Sequence, residues 1–104
     1  MRTVYRYDLD IFDTPDGYFV LEMPLGAVPL HVAEQQRAPH FPSLWALVDT
    51  ERPVVKRRFM ITGTGTTRPE PPGSKSEYVG TFQIHGYVWH IWEAPLLVEE
   101  KEAA

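Results

Sequence analysis

The chain has 104 residues, with ten prolines, seven glycines, no cysteine and a formal net charge of −4. Apolar residues make up 43% and charged residues 23%, the composition of one folded domain and not of a disordered chain. The lack of cysteine excludes disulfides, thiolate metal sites and cysteine nucleophiles, and the acidic balance opposes general binding to nucleic-acid phosphates.

Prolines and glycines break the chain into short segments rich in β-branched and aromatic residues, the types that suit a half-buried pleated surface. In Thr3 to Phe12, Tyr5, Tyr7, Leu9 and Ile11 alternate with Arg6, Asp8 and Asp10, which predicts a strand. Thr14-Pro15-Asp16-Gly17 has turn chemistry and predicts a hairpin that returns through Tyr18 to Met23. Ala27 to Ala33 reads as a third strand through Val28, Leu30 and Val32. A short helix over His31 to Ala38 competes with it, because Ala, Glu, Gln and Arg favour helix, but Pro39 and Pro42 cut it short. Leu44 to Asp49 and Val54 to Thr62 are the next strands, tightly joined by Thr50-Glu51-Arg52-Pro53.

Residues 63–77 hold three prolines and three glycines and read as a long exposed loop. Tyr78 to Gln83 and Tyr87 to Glu93 form a second predicted hairpin, turning near His85-Gly86. Residues 99–104 read as a solvated, disordered acidic tail. The expectation is an all-β domain over residues 1–98: a small antiparallel sandwich or partly open barrel of about seven short strands.

Catalytic signatures are missing: there is no Gly-x-Ser-x-Gly elbow, P-loop, dinucleotide fingerprint or His-Glu-x-x-His. No catalytic residue is nominated, and the expectation is a protein that is not an enzyme. The most suggestive local piece is Thr62-Gly63-Thr64-Gly65-Thr66-Thr67, where glycine amides and threonine hydroxyls can meet an anion. With nearby cations it nominates Arg58, Gly63, Thr64, Gly65, Thr66, Arg68 and Lys75 as a ligand-binding set. A β-bulge with a tight bend explains the same glycines. His85 and His90 invite a metal reading with Glu93, but strand alternation puts His90 and Glu93 on opposite faces, so neither metal nor cofactor is expected.

Two strands are apolar on both sides. Val88, His90 and Trp92 oppose Trp89 and Ile91; Tyr18 and Val20 oppose Phe19, Leu21 and Met23. A sandwich strand normally wets one face. The excess nominates Tyr18, Val20, Trp89, Ile91 and Trp92 as interface residues of a homo-oligomer or of a complex with another protein. In Lys56-Arg57-Arg58, Arg57 shares the side of Val55, Phe59 and Ile61, at an edge or snorkelling beside a buried face.

Several ordered pieces carry a resemblance: Val4-Tyr5-Arg6-Tyr7-Asp8-Leu9, Met23-Pro24-Leu25-Gly26-Ala27, Leu44-Trp45-Ala46-Leu47-Val48-Asp49, Ile61-Thr62-Gly63-Thr64-Gly65, Tyr78-Val79-Gly80-Thr81-Phe82-Gln83 and Val88-Trp89-His90-Ile91-Trp92-Glu93. Together they resemble a family of small uncharacterised proteins encoded in bacteriophage and prophage genomes, from about residue 3 to 93. The chain departs from that pattern at Arg37 to Pro42 and in a proline-rich insertion at residues 67–77. The resemblance implies an accessory protein that binds, blocking a host factor or sequestering a host defence signal, with a host protein or small anionic ligand as partner. A minor structural or assembly protein of the virion and a nucleotide hydrolase are the alternatives. Residues Met1 to Tyr5 lack a signal-type apolar region and no stretch is apolar enough for a membrane helix, so the expected location is the cytoplasm of a bacterial host, without membrane or nucleic-acid partners.

Overall fold

A computed structural model describes residues 1–10, 17–35, 38–65, 76–84 and 86–94. Seven strands fill it: β1 Arg2–Asp8, β2 Tyr18–Pro24, β3 Val28–Gln35, β4 Ala38–Asp49, β5 Val54–Gly63, β6 Glu77–Ile84 and β7 Tyr87–Ala94. They form a three-stranded antiparallel sheet in the order β1-β4-β3 and a four-stranded one in the order β2-β5-β7-β6. The architecture is the all-β sandwich expected from the alternation, and it is not a closed barrel.

One hairpin is a correction. β1 and β2 do not pair with each other: β1 lies beside β4, and β2 lies beside β5 in the other sheet. Most of the Thr14–Gly17 segment lies outside the described residues. The physical reason is burial. Tyr5 and Tyr7 share one side of β1, and Phe19, Leu21 and Met23 share one side of β2, so opposite sheets let both apolar sides face the interior. The short connections Leu25 to Ala27 and Thr50 to Pro53 each carry the chain from one sheet to the other. Gly26 has the positive φ of 82° that the first of them requires.

The competing helix over His31 to Ala38 does not form. His31 to Gln35 continue β3, because Val32 on that strand is buried in the core, and packing overrides helix propensity. β4 extends further back than expected and passes through Pro39 and Pro42. Proline fits at Pro42 because that residue turns its backbone toward β1 one position beyond the last pair of the β1–β4 ladder, Asp8 with Ser43, while its carbonyl accepts the Leu9 N–H at 2.8 Å.

Leu44, Ala46 and Val48 of β4 face the other sheet's Phe59, Ile61, Phe82, Ile84 and Ile91, forming the core. Arg57 and Glu93 belong to these inward faces. Arg57 Nε donates to Glu93 Oε2 at 2.5 Å, its Nη2 to Oε1 at 2.8 Å, and its Nη1 to the Ala27 carbonyl at 2.8 Å. This is the bidentate fork that suits a guanidinium and a carboxylate. Hydrogen bonding to Glu93 holds Arg57 above its ordinary range, against the opposing effect of burial.

The sheets approach most closely where β3 meets β6. A register shift between Tyr78 and Gly80 bulges β6, and a Cβ at Gly80 would stand 3.3 Å from Val32 Cβ.

Candidate functional site

The outer face of the four-stranded sheet gathers most of the unexplained polar and aromatic side chains. Its register aligns Tyr18, Met60, Trp92 and Tyr78 in one row across all four strands. Met60 is fully buried although it sits on this outer face. Tyr78 packs edge-on against Trp92, with ring centroids 4.8 Å apart. Beside Tyr18 lies Arg58, its guanidinium carbon 4.6 Å from the ring centroid. That is cation–π distance. Arg58 Nε is buried and has no hydrogen-bond partner among the described residues.

The neighbouring row, Thr62, His90 and Thr81, is polar. His90 Nε2 lies 2.8 Å from Thr64 Oγ1, and its Nδ1 lies 2.9 Å from the Tyr78 hydroxyl and 3.3 Å from Thr81 Oγ1. Tyr78 and Thr81 also contact each other through their hydroxyls. Trp92 Nε1–H donates to Thr62 Oγ1 at 3.2 Å. With a proton on Nδ1, the imidazole donates toward Tyr78 or Thr81 and Nε2 accepts from Thr64. That is a hydroxyl beside a base whose orientation is fixed from behind, an arrangement suited to nucleophile activation. Among the described residues the cluster has no carboxylate behind the imidazole: Glu93 points to the other face and is bound by Arg57.

Thr64 also borders a half-open, mainly apolar cavity of about 380 Å³, with Gly63, Tyr87, Val88 and Trp89 as its other walls. Gly63 lies opposite Trp89 in the β5–β7 ladder, and the Thr64 N–H is spent on the Val88 carbonyl at 3.0 Å. Gly65 adopts a φ of 83°, the bend that the bland explanation of these glycines required.

The structure does not gather the described part of the expected ligand set. Arg58 lies six residues along β5 from Thr64, roughly 20 Å at strand spacing. Thr66, Arg68 and Lys75 lie outside the described residues, as does His85. Among the interface candidates, Tyr18, Val20 and Trp92 are on the outer face. Ile91 is a correction: it is fully buried between the sheets, opposite Ile61, and offers nothing to a partner. Trp89 also faces inward and packs against the core. Arg57 is inside the sandwich rim, snorkelling onto Glu93. Among the described residues, no group of three His, Asp or Glu converges as a metal site would need.

Sequence reading found His90 but missed Tyr78 and Thr81. Strict alternation separates residues three apart onto opposite faces. The bulge at Val79 shifts the phase of β6 and returns both hydroxyls to His90. The signal available was Gly80, a glycine inside a strand pattern.

The sequence profile of DUF7352, a domain of unknown function, matches residues 1–102. The chain belongs to that family. No curated protein and no solved structure matches the chain. No helix among the described residues is long and apolar enough to cross a membrane.

Proposed function

We propose that the protein acts by binding, as an accessory factor of a phage or prophage in the bacterial cytoplasm, and that its contact surface for a host protein is the outer face of the four-stranded sheet. The row of Tyr18, Trp92 and Tyr78, flanked by the Arg58 guanidinium, carries this reading. Aromatic and arginine side chains are the residue types that anchor protein interfaces. The small-anion version has less support, because the Thr64 amide is already hydrogen-bonded and Arg58 is distant from it. The test compares host proteins retained by the immobilised wild type and by a Tyr18→Ala, Arg58→Ala double variant. A partner of this face loses about 100-fold or more in affinity with the double variant, while Val28→Ser on the opposite sheet leaves it unchanged. Equal retention by all three chains sinks this reading.

A second reading rests on the contact between Thr64 and His90. In an ester hydrolase, Thr64 Oγ1 attacks the carbonyl carbon as its proton passes to His90 Nε2, with Tyr78 holding the ring. That proton goes to the departing alcohol as the ester C–O bond breaks, and water then cleaves the acyl-threonine to the acid. Slow turnover of an activated ester that disappears in both His90→Ala and Thr64→Ala supports it. Turnover that survives either substitution removes it.

A further inference from the structure

The outer edge of the three-stranded sheet is strand β1, bonded on its inner side to β4. The Leu9 N–H reaches the Pro42 carbonyl, and the Thr50 N–H reaches the Met1 carbonyl, at 2.8 and 2.9 Å. These bonds set the phase of the β1–β4 ladder: the odd-numbered residues of β1 turn their backbone groups toward β4. Arg2, Val4, Arg6 and Asp8 therefore turn their N–H and C=O groups away from it, along an edge with no neighbouring strand among the described residues. Seven residues run there in uninterrupted register without proline, lysine or a bulge; the charges on this edge are Arg2, Arg6 and Asp8, with Arg6 Nε 3.3 Å from Asp8 Oδ1.

We propose that two copies of the chain associate through β1, antiparallel about a two-fold axis at Tyr5, joining their three-stranded sheets into one of six strands. Charge selects this register. Centred on Tyr5, Arg2 stands opposite the partner's Asp8, and Asp8 opposite the partner's Arg2. Sliding the pair one step in one direction opposes Arg2 to the partner's Arg6; one step in the other opposes the two Arg6 side chains. Both alternatives place like charges directly across the ladder, which is destabilising. The favoured register also brings Tyr5 against the partner's Tyr5, at a position not bridged by hydrogen bonds, where side chains approach most closely. Tyr5 is 41% exposed in the single chain although it lies on the inward side of its strand, beside the Tyr7 ring at 6.5 Å. The edge is isologous, so the contact closes at two chains. It stands whether or not the outer face of the other sheet binds a host protein.

The natural chain has no cysteine, so single cysteines report the register without interference. Tyr5→Cys places the two sulfurs on residues whose Cα atoms lie about 4.5 Å apart, within disulfide reach. Thr3→Cys places them four residues out of step, roughly 13 Å apart and beyond reach. The experiment measures the mass of the full chain by light scattering at about 100 μM, with crosslinking of both cysteine variants under mild oxidation. A mass twice the 12.0 kDa of one chain is expected, with a disulfide in Tyr5→Cys and none in Thr3→Cys. Arg2→Asp, which sets a carboxylate against the partner's Asp8, is expected to raise the dimer Kd about tenfold or more, with the circular dichroism spectrum unchanged. A wild-type mass of one chain overturns the proposal, as does crosslinking no better in Tyr5→Cys than in Thr3→Cys, or a folded Arg2→Asp chain that dimerises as tightly as wild type.

Discussion

β5 and β7 carry a polar cluster on each of their faces, and the two are built to different ends. On the inward face, the Arg57 fork is closed by both Glu93 oxygens and the Ala27 carbonyl. The charges compensate one another, and the cluster joins the strand pair to the β2–β3 turn. On the outward face, His90 meets the hydroxyls of Thr64, Tyr78 and Thr81, and among the described residues no carboxylate contacts its ring. The inner cluster holds the sandwich together. The outer one keeps its hydrogen-bonding capacity at the surface, where a partner or substrate can use it.

Substitution separates the two most sharply at Glu93. Glu93→Ala strands a largely buried guanidinium, and urea unfolding is expected to show a loss of about 2–3 kcal/mol, somewhat below the cost for a fully buried pair because both side chains keep some solvent contact. Replacing Arg57 and Glu93 together with Met and Leu recovers most of that loss. The same measurement on His90→Ala is expected to give a loss under about 1 kcal/mol, since the hydroxyls it frees can turn to water. Comparable losses at the two sites would erase the distinction.

The smallest expected effect concerns pH. Burial holds the Tyr7 phenol above its ordinary 10.0, reinforced by Tyr5 and opposed by the Arg57 charge. Between the unfolded value and the raised folded one, the native state keeps a proton that the unfolded chain has lost. Stability from this group is therefore complete below about pH 10 and falls as pH rises through the folded value. Tyr7→Phe removes that part of the alkaline decline while leaving the neutral-pH stability within about 0.5 kcal/mol.

Strand existence was legible because period-2 alternation is a local signal, and it placed the apolar side of β1, β2 and β5 correctly. It also set Arg57 beside Phe59 and Ile61. Pairing was less legible: the turn residues Thr14 to Gly17 say that the chain bends, not which strand it then joins. Two apolar sides needing cover were satisfied across the sandwich, and nothing within a window of ten residues encodes that. At the candidate site, His90 and the orientation of Trp92 followed from alternation, whereas the partners of His90 were hidden by one bulged residue in β6. Ile91 was misjudged as an interface residue because apolarity on both faces of a strand does not reveal which face is already covered.

Gly80 has a consequence for how far an assembly can grow. A sheet with two open edges can add strands at both, and so propagate into a fibre. Here the lack of a Cβ at Gly80 lets β6 come up against Val32, which occupies the β3 side of the three-stranded sheet. β3 packs against β6 across the sandwich, whereas β1 has no neighbouring strand on its outer side among the described residues. If two chains pair at β1 as proposed, each covers the other's open edge, and the close packing at Gly80 leaves the β3 side facing its own molecule.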